Sequence, residues 1–156
     1  LQIPGQRREA LEVHFLFPLY DEGTVFDAMW SAIEARRKGG QASWPFPERR
    51  LLRIAAGTCQ GLVTMHSRGL AHRDVKPHNI LLHRDSTPVL MDLGSACPAR
   101  RDIESRQDAI LVEDDAASKC SAPYRAPELT EVSYPCFIDE RVDVWSMGCT
   151  MFAMAF

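Results

Sequence analysis

Two carboxylates, an amide and an ammonium group crowd one stretch of this sequence. The run His72-Arg73-Asp74-Val75-Lys76-Pro77-His78-Asn79 is followed thirteen residues later by Asp92-Leu93-Gly94, and further on by Ala126-Pro127-Glu128. Between Asn79 and Asp92 stand two short apolar runs, Ile80-Leu81-Leu82 and Val89-Leu90-Met91, separated by residues 83–88 with Asp85, Ser86 and Thr87. Two apolar runs around such a polar turn read as a hairpin. An antiparallel pairing that sets Leu81 opposite Leu90 also sets Asn79 opposite Asp92. An amide oxygen and a carboxylate at the same open end of a hairpin can share one hard cation.

The elements that must position these groups are legible on either side. Residues 11–17 alternate and are β-branched, and Pro18 with Asp21-Glu22-Gly23 stops them, which predicts a strand running into an extended connection. Thr24 then reads as a helix cap, with Phe26, Met29, Trp30 and Ile33 at helical spacing until Gly39-Gly40. Pro47 suits a first helical turn, and Leu51, Ile54, Ala55, Leu62 and Met65 form one stripe, so a long half-buried helix is expected to about His66, closed by Gly69. Residues 93–121 show little strand pattern, with a short helix expected over 109–119. Residues 142–156 are apolar on nearly all sides, as a helix central to a larger domain would be.

Composition sets the outer bounds. With 46% hydrophobic and 25% charged residues, the chain matches an ordinary packed domain. Residues 1–79 carry eleven basic against eight acidic side chains, and residues 80–156 carry seven against thirteen. An acidic second half argues against a nucleic-acid surface, which needs clustered Lys and Arg, and leaves room for carboxylates that hold a cation. The basic runs Arg36-Arg37-Lys38 and Arg49-Arg50 read as solvated faces. Five widely spaced cysteines without a Cys-x-x-Cys pair encode neither a disulfide framework nor a zinc site, which fits a reducing compartment. The apolar ending is too short to span a bilayer, and no signal peptide is present. A first residue other than Met, and a last one inside an apolar run, predict a fragment.

Taken in order and spacing, the three motifs resemble those of a eukaryotic protein kinase: the catalytic loop, the metal-binding Asp-Phe-Gly with Leu in place of Phe, and the Ala-Pro-Glu that ends the activation segment. The resemblance implies an α+β, protein-kinase-like fold, made of the hinge, a catalytic-loop hairpin and the mostly helical first half of the C-terminal lobe. It implies Asp74 as the carboxylate that orients the attacking hydroxyl, Lys76 near the transferred phosphate, and Asn79 and Asp92 as ligands of Mg²⁺. His72 would pack under the loop and Arg73 would anchor the activation segment. Asp143, in Asp143-Val144-Trp145-Ser146, would receive backbone hydrogens from the catalytic loop. Glu128 would pair with an Arg of a later helix that this sequence does not contain. Ser121 would bridge Asp74 and Lys76, with Tyr124 and Arg125 meeting the protein substrate, which implies Ser/Thr specificity. Residues 17–24 resemble the hinge, with Phe17 as gatekeeper, Leu19 offering backbone groups to the adenine of ATP, Thr24 near the ribose and Leu81 under the adenine ring.

Within the kinases, Asp92-Leu93-Gly94-Ser95, residues 124–129 and residues 138–146 resemble the Numb-associated group, nearest its myristoylated and palmitoylated member, in which an extra helix follows the activation segment. That likeness implies a cytoplasmic protein brought to a membrane by a lipid anchor outside this sequence. The segment from Asp92 to Glu128 has no Thr but contains Glu113-Asp114-Asp115; a solvated helix face is the expected reading of that run, and the hypothesis set beside it is that acid substitutes for an activating phosphate near Arg73. No Gly-x-Gly-x-x-Gly and no strand lysine precede the hinge, and Lys38 follows it. The whole chain, 1–156, is therefore expected to be a partial kinase domain without the N-terminal lobe or the last helices, and its final helix should expose apolar surface. The alternative is a non-catalytic, truncated kinase that serves as a protein-binding module.

Overall fold

The structure is a computed structural model and describes residues 12–14, 16–40 and 43–156. Its organising element is the last helix, α4 (Arg141–Ala155), whose Val142, Met147 and Met154 each enter a different apolar cluster. Beneath it runs α2 (Glu48–His66), the expected long helix, burying Leu51, Ile54, Ala55, Thr58 and Leu62 along one side. Ala55 and Leu62 meet Met147 and the loop residue Val75, so the central helix and the reactive loop share one apolar seam. A second cluster joins Met154 and Ile54 to Val25 of α1 (Val25–Arg37) and to Ile80 and Leu82 of the hairpin, and the Trp44 indole N–H closes it by donating to the Met154 carbonyl at 2.6 Å.

Both ends of α1 are as expected. Thr24 caps it through a reciprocal box with Asp27: the Asp27 backbone N–H donates to Thr24 Oγ1 at 3.1 Å, and the Thr24 backbone N–H donates to the Asp27 carboxylate at 2.8 Å. The helix stops at Arg37, ahead of Gly39 with its φ of 80°. The chain turns after α2 at Gly69, whose φ of 73° a side chain would resist.

Three two-stranded antiparallel ribbons complete the frame. They pair β1 (Leu70–Ala71) with β4 (Cys97–Pro98), β2 (Ile80–Leu82) with β3 (Pro88–Leu90), and β5 (Arg101–Ile103) with β6 (Cys136–Ile138). The β2–β3 hairpin is the expected one, but its register is shifted by one residue. Ile80 lies opposite Leu90 and Leu81 opposite Val89, so Asn79 faces Met91, whose N–H donates to the Asn79 carbonyl at 2.9 Å, and not Asp92. The cause is the turn. His83 and Thr87 close a three-residue loop, with the His83 N–H on the Thr87 carbonyl at 2.9 Å, and Ser86 adopts φ of 64°. The observed register buries Ile80 and Leu82, the flank that the core requires.

The described residues 12–14, 16 and 17 form no strand; Leu11 and Phe15 lie outside the described residues. Residues 93–121 hold more structure than their pattern suggests. The strands β4 and β5 are too short to show a period, and α3 (Arg106–Lys119) starts three residues ahead of expectation because Ser105 and Asp108 form a capping box. The outer side of α4 is open, as expected, with Val144, Trp145, Phe152 and Phe156 exposed. Among the described residues no helix is long and apolar enough to cross a membrane.

Candidate active site

Asp143, in the first turn of α4 and wholly buried, is the post on which the reactive loop hangs. Its carboxylate accepts the backbone N–H groups of His72 and Arg73, each at 2.7 Å, and meets His66 Nε2 at 2.8 Å. The His72 ring is also fully buried, with Nε2 3.0 Å from the Met91 carbonyl, so it ties the loop to the strand that leads to Asp92. Arg73 has φ of 67°, a left-handed conformation that costs about 1–3 kcal/mol and persists only where neighbours fix it. The two bonds from Asp143 do that fixing.

With the loop fixed, Asp74 is 6% exposed and surrounded by donors. Its Oδ2 accepts from Lys76 Nζ at 2.7 Å and from Asn79 Nδ2 at 3.0 Å, while Oδ1 accepts the Ser121 backbone N–H at 2.9 Å. Lys76 Nζ also donates to Ser121 Oγ at 2.7 Å. Burial pushes the Asp74 carboxyl up, but the Lys76 ammonium and the Ser121 hydrogen bonds outweigh it and hold it below the usual carboxylate range. Asp74 is thus an ionised carboxylate poised beside an ammonium group. A cleft of about 360 Å³ opens next to this cluster, lined by Lys76, His78, Asn79, Ser121, Pro123 and Tyr124.

Asn79 Nδ2 donates to Asp74 twice, to its carboxylate and at 2.9 Å to its carbonyl, so the amide oxygen is what Asn79 can present to a cation. Asp92 is exposed in a left-handed conformation (φ 62°), and its Oδ1 accepts the Gly94 N–H at 3.2 Å. Despite the altered register, the hairpin still delivers the two together, because Asp92 follows Met91 at the open end. Both are hard oxygen donors. Among the described residues no group of three or more His, Cys, Asp or Glu side chains is placed to hold a metal ion.

Toward the activation segment, Arg73 Nη1 donates to the Asp115 carboxylate of α3 at 2.6 Å, so acid does stand against Arg73. The three consecutive acids divide their work: Glu113 accepts the Val132 N–H at 2.8 Å, Asp114 faces solvent, and Asp115 takes Arg73 and Lys119. Tyr124 and Arg125 lie beside Ser121; the Tyr124 carbonyl accepts from Ser146 Oγ of α4 at 2.7 Å, and Arg125 Nη2 donates to the Cys120 carbonyl at 2.7 Å. Glu128 is exposed, near enough for Arg141 to feel its charge, although Arg141 hydrogen-bonds to Asp139.

The hinge residues are less convergent. Thr24 and Leu81 bridge in antiparallel fashion, and the Leu82 N–H reaches the Gly23 carbonyl at 2.9 Å, so two expected nucleotide-facing positions do adjoin. The Thr24 hydroxyl is engaged with Asp27 as a cap. Leu19 is 89% and Phe17 77% exposed, and both stand outside that pair.

Three contributors escape the sequence reading. His66 anchors Asp143, Thr150 of α4 reaches the Val75 carbonyl at 3.3 Å, and His78 stacks on Phe26 with ring centroids 3.8 Å apart. A helix-terminal His66 or an apolar-helix Thr150 carries no local signal of a partner more than seventy residues away.

Comparison with known proteins meets this geometry. The sequence profile of the protein kinase domain matches residues 8–156. The chain belongs to the protein kinase family. It is 43% identical over 145 residues to serine/threonine-protein kinase 16 of Rattus norvegicus, and equally to that of Homo sapiens, alignments that cover 93% of this chain and 45% of each relative. A probable serine/threonine-protein kinase of Dictyostelium discoideum is 27% identical over 217 residues, covering 99% of the chain and 58% of that protein. Its helices and two-stranded ribbons make the α+β, kinase-like fold of that family, and the relatives named here are serine/threonine-protein kinases. It spans about half the length of the curated relatives it matches.

Proposed function

We propose that these residues carry the catalytic-loop, metal-binding and activation-segment portion of a kinase domain that moves the γ-phosphoryl group of ATP to a Ser or Thr hydroxyl of a protein. The observation that carries this reading is the triangle of Lys76, Asp74 and Ser121, with bonds of 2.7, 2.9 and 2.7 Å around one ionised carboxylate. Asp74 orients the incoming hydroxyl and takes up its proton at a carboxylate oxygen. Lys76 moves its positive charge toward the phosphoryl oxygens as they gain charge, while Ser121 keeps the ammonium and carboxylate in register. Asn79 and Asp92 hold Mg²⁺, which when bound offsets negative charge on the phosphates. Leu81 and Thr24 flank the nucleotide with Leu19, and Tyr124 with Arg125 faces the substrate chain.

Asp115 is in this reading a built-in counter-ion: it holds Arg73 as an activating phosphate would, so the segment is ordered without modification. The finer placement in the Numb-associated group rests on the motifs around Asp92, Tyr124 and Asp143. The extra helix of that group follows the activation segment, whereas α3 lies within the segment, between Asp92 and Glu128. Membership would bring a cytoplasmic protein to a membrane through an acyl anchor outside these residues.

The test is Asp74→Asn in the intact protein, assayed by transfer of labelled phosphate from ATP to an acceptor protein. Turnover should fall by about 10²-fold or more, while the KM for ATP stays within about threefold. Retained turnover would remove Asp74 from the chemistry.

A further inference from the structure

The closed end of the β2–β3 hairpin, opposite the end that carries Asn79 and Asp92, rests on the first turns of α2. Its turn residues His83, Arg84, Asp85 and Thr87 are exposed, and Ser86 among them is half-buried, its hydroxyl oxygen accepting from Arg50 Nε at 3.2 Å. A cleft of about 430 Å³ opens there, lined by Pro47, Arg49, Arg50, Arg53 and Ser86. The lining holds three guanidinium groups, one hydroxyl and no acid.

The basic run that reads as a plain solvated face thus gathers about a hydroxyl. Arg50 Nη1 donates to the Pro45 carbonyl at 3.0 Å and Arg53 Nη1 to the Asp85 carbonyl at 3.1 Å, but among the described residues none of the three arginines pairs with a carboxylate. The one acid of the turn, Asp85, has its carboxylate engaged within the turn, where Oδ1 accepts the Thr87 N–H at 2.9 Å and lies 3.1 Å from His83 Nδ1. Guanidinium groups held this close repel one another, and a phosphate among them would take charge-assisted, bidentate bonds. Ser86 has φ of 64°, a conformation that glycine adopts without strain. The side chain kept there at that cost is a hydroxyl, a group that can carry a phosphate into the cleft.

We infer that Ser86 is a phosphorylation site whose phosphate is held by Arg50 and Arg53, with Arg49 beside them, and staples the hairpin to α2. The donor is ATP on a protein kinase acting in trans, since Ser86 stands at the end of the hairpin away from Asn79 and Asp74. Ser86 Oγ bonds to the γ-phosphorus as the bond from that phosphorus to the β,γ-bridging oxygen breaks; ADP leaves, and the hydroxyl proton passes to the carboxylate base of the acting kinase. The site goes beyond the phosphoryl-transfer reading of the Asp74 cleft and does not depend on it, because here the chain is the acceptor.

Two measurements on the intact protein test it. Phosphopeptide mapping of protein isolated from its native cells under phosphatase inhibition should find phosphate on Ser86, with fragment ions that separate it from Thr87. Protein carrying phosphoserine at position 86, installed during synthesis, should unfold about 2–4 °C higher than the unmodified protein. Its ³¹P resonance should titrate about one pH unit below that of the same protein unfolded in urea, since the arginines favour the dianion. Arg50→Gln combined with Arg53→Gln should remove both effects. No phosphate on Ser86 in the native protein, the same ³¹P titration folded and unfolded, or an unfolding midpoint that the phosphate leaves unchanged would each overturn the site. The ³¹P comparison needs no arginine variant, so a substitution that misfolds leaves the test intact.

Discussion

Replacing Asp143 by Asn isolates the device that shapes the reactive loop. The native carboxylate is fully buried and accepts three donors, the backbone N–H groups of His72 and Arg73 at 2.7 Å and His66 at 2.8 Å. An Asn of the same shape keeps one acceptor oxygen and turns an NH₂ group toward a backbone N–H. One buried amide then loses its partner, which costs about 1–3 kcal/mol, and the remaining bonds lose their charge assistance, worth about 1 kcal/mol each. The left-handed Arg73, held by one of those bonds, is free to relax, which returns part of the loss and moves Asp74. The expected destabilisation is about 3 kcal/mol, within the 3–5 kcal/mol typical of breaking a buried charge pair. Urea unfolding of the intact protein, read from the midpoint at unchanged slope, measures it. Turnover should fall in parallel, since the bond geometry around Asp74 depends on the same anchor. A loss under about 1 kcal/mol with full turnover would refute the idea that Asp143 holds the loop.

Asp115→Asn should lower turnover by about tenfold while costing only about 1 kcal/mol of stability, because the pair with Arg73 is partly solvated on the Asp115 side; unchanged turnover would leave Asp115 a plain surface acid. The Asp74 carboxyl is depressed below 3.8, so its contribution to stability is present above the unfolded value and lost as pH falls through the folded one. Lys76→Met removes a depressing charge, and the stability lost on acidification below about pH 4 should shrink in that variant relative to the native protein, by acid titration of the unfolding midpoint. Gly57→Ala in α2 would ordinarily favour a helix, yet a Cβ there would meet Pro88 of β3 at 2.5 Å, so thermal unfolding should show a loss of about 1–3 kcal/mol.

What the sequence reveals divides along a physical line. The cluster of Asp74, Lys76 and Asn79 is legible because all three stand within one loop, and the approach of Asp92 because one hairpin leads back to it. The stripe of α2 is legible because its burial is one-sided over nineteen residues. The hairpin register is not, since it depends on whether Ser86 takes a positive φ, a choice made by turn geometry and not by the apolar pattern. The ribbons β1–β4 and β5–β6 are likewise hidden, with strands of two or three residues. The acid at Arg73 could be foreseen as a cluster but not as Asp115 in particular. The phase of α3 chooses it, because burying Ala109, Val112 and Ala116 turns Asp115 toward Arg73, sends Glu113 to Val132 and leaves Asp114 in water.

Two residues of the site, Arg73 and Asp92, hold left-handed backbones without being glycine, and they stand at the two ends of one connected path. From Asp143 the path runs through the Arg73 N–H into the loop, and through His72 to the Met91 carbonyl, the residue before Asp92. Strain at both carboxylate-bearing segments is thus held by a single buried helix terminus, itself fixed by Val142, Met147 and Met154 in three apolar clusters. In the proposed function Asp74 and Asp92 would have to keep their separation within a fraction of an ångström for in-line transfer. Anchoring both to α4 gives them a common reference, so displacement of that helix should shift the two together.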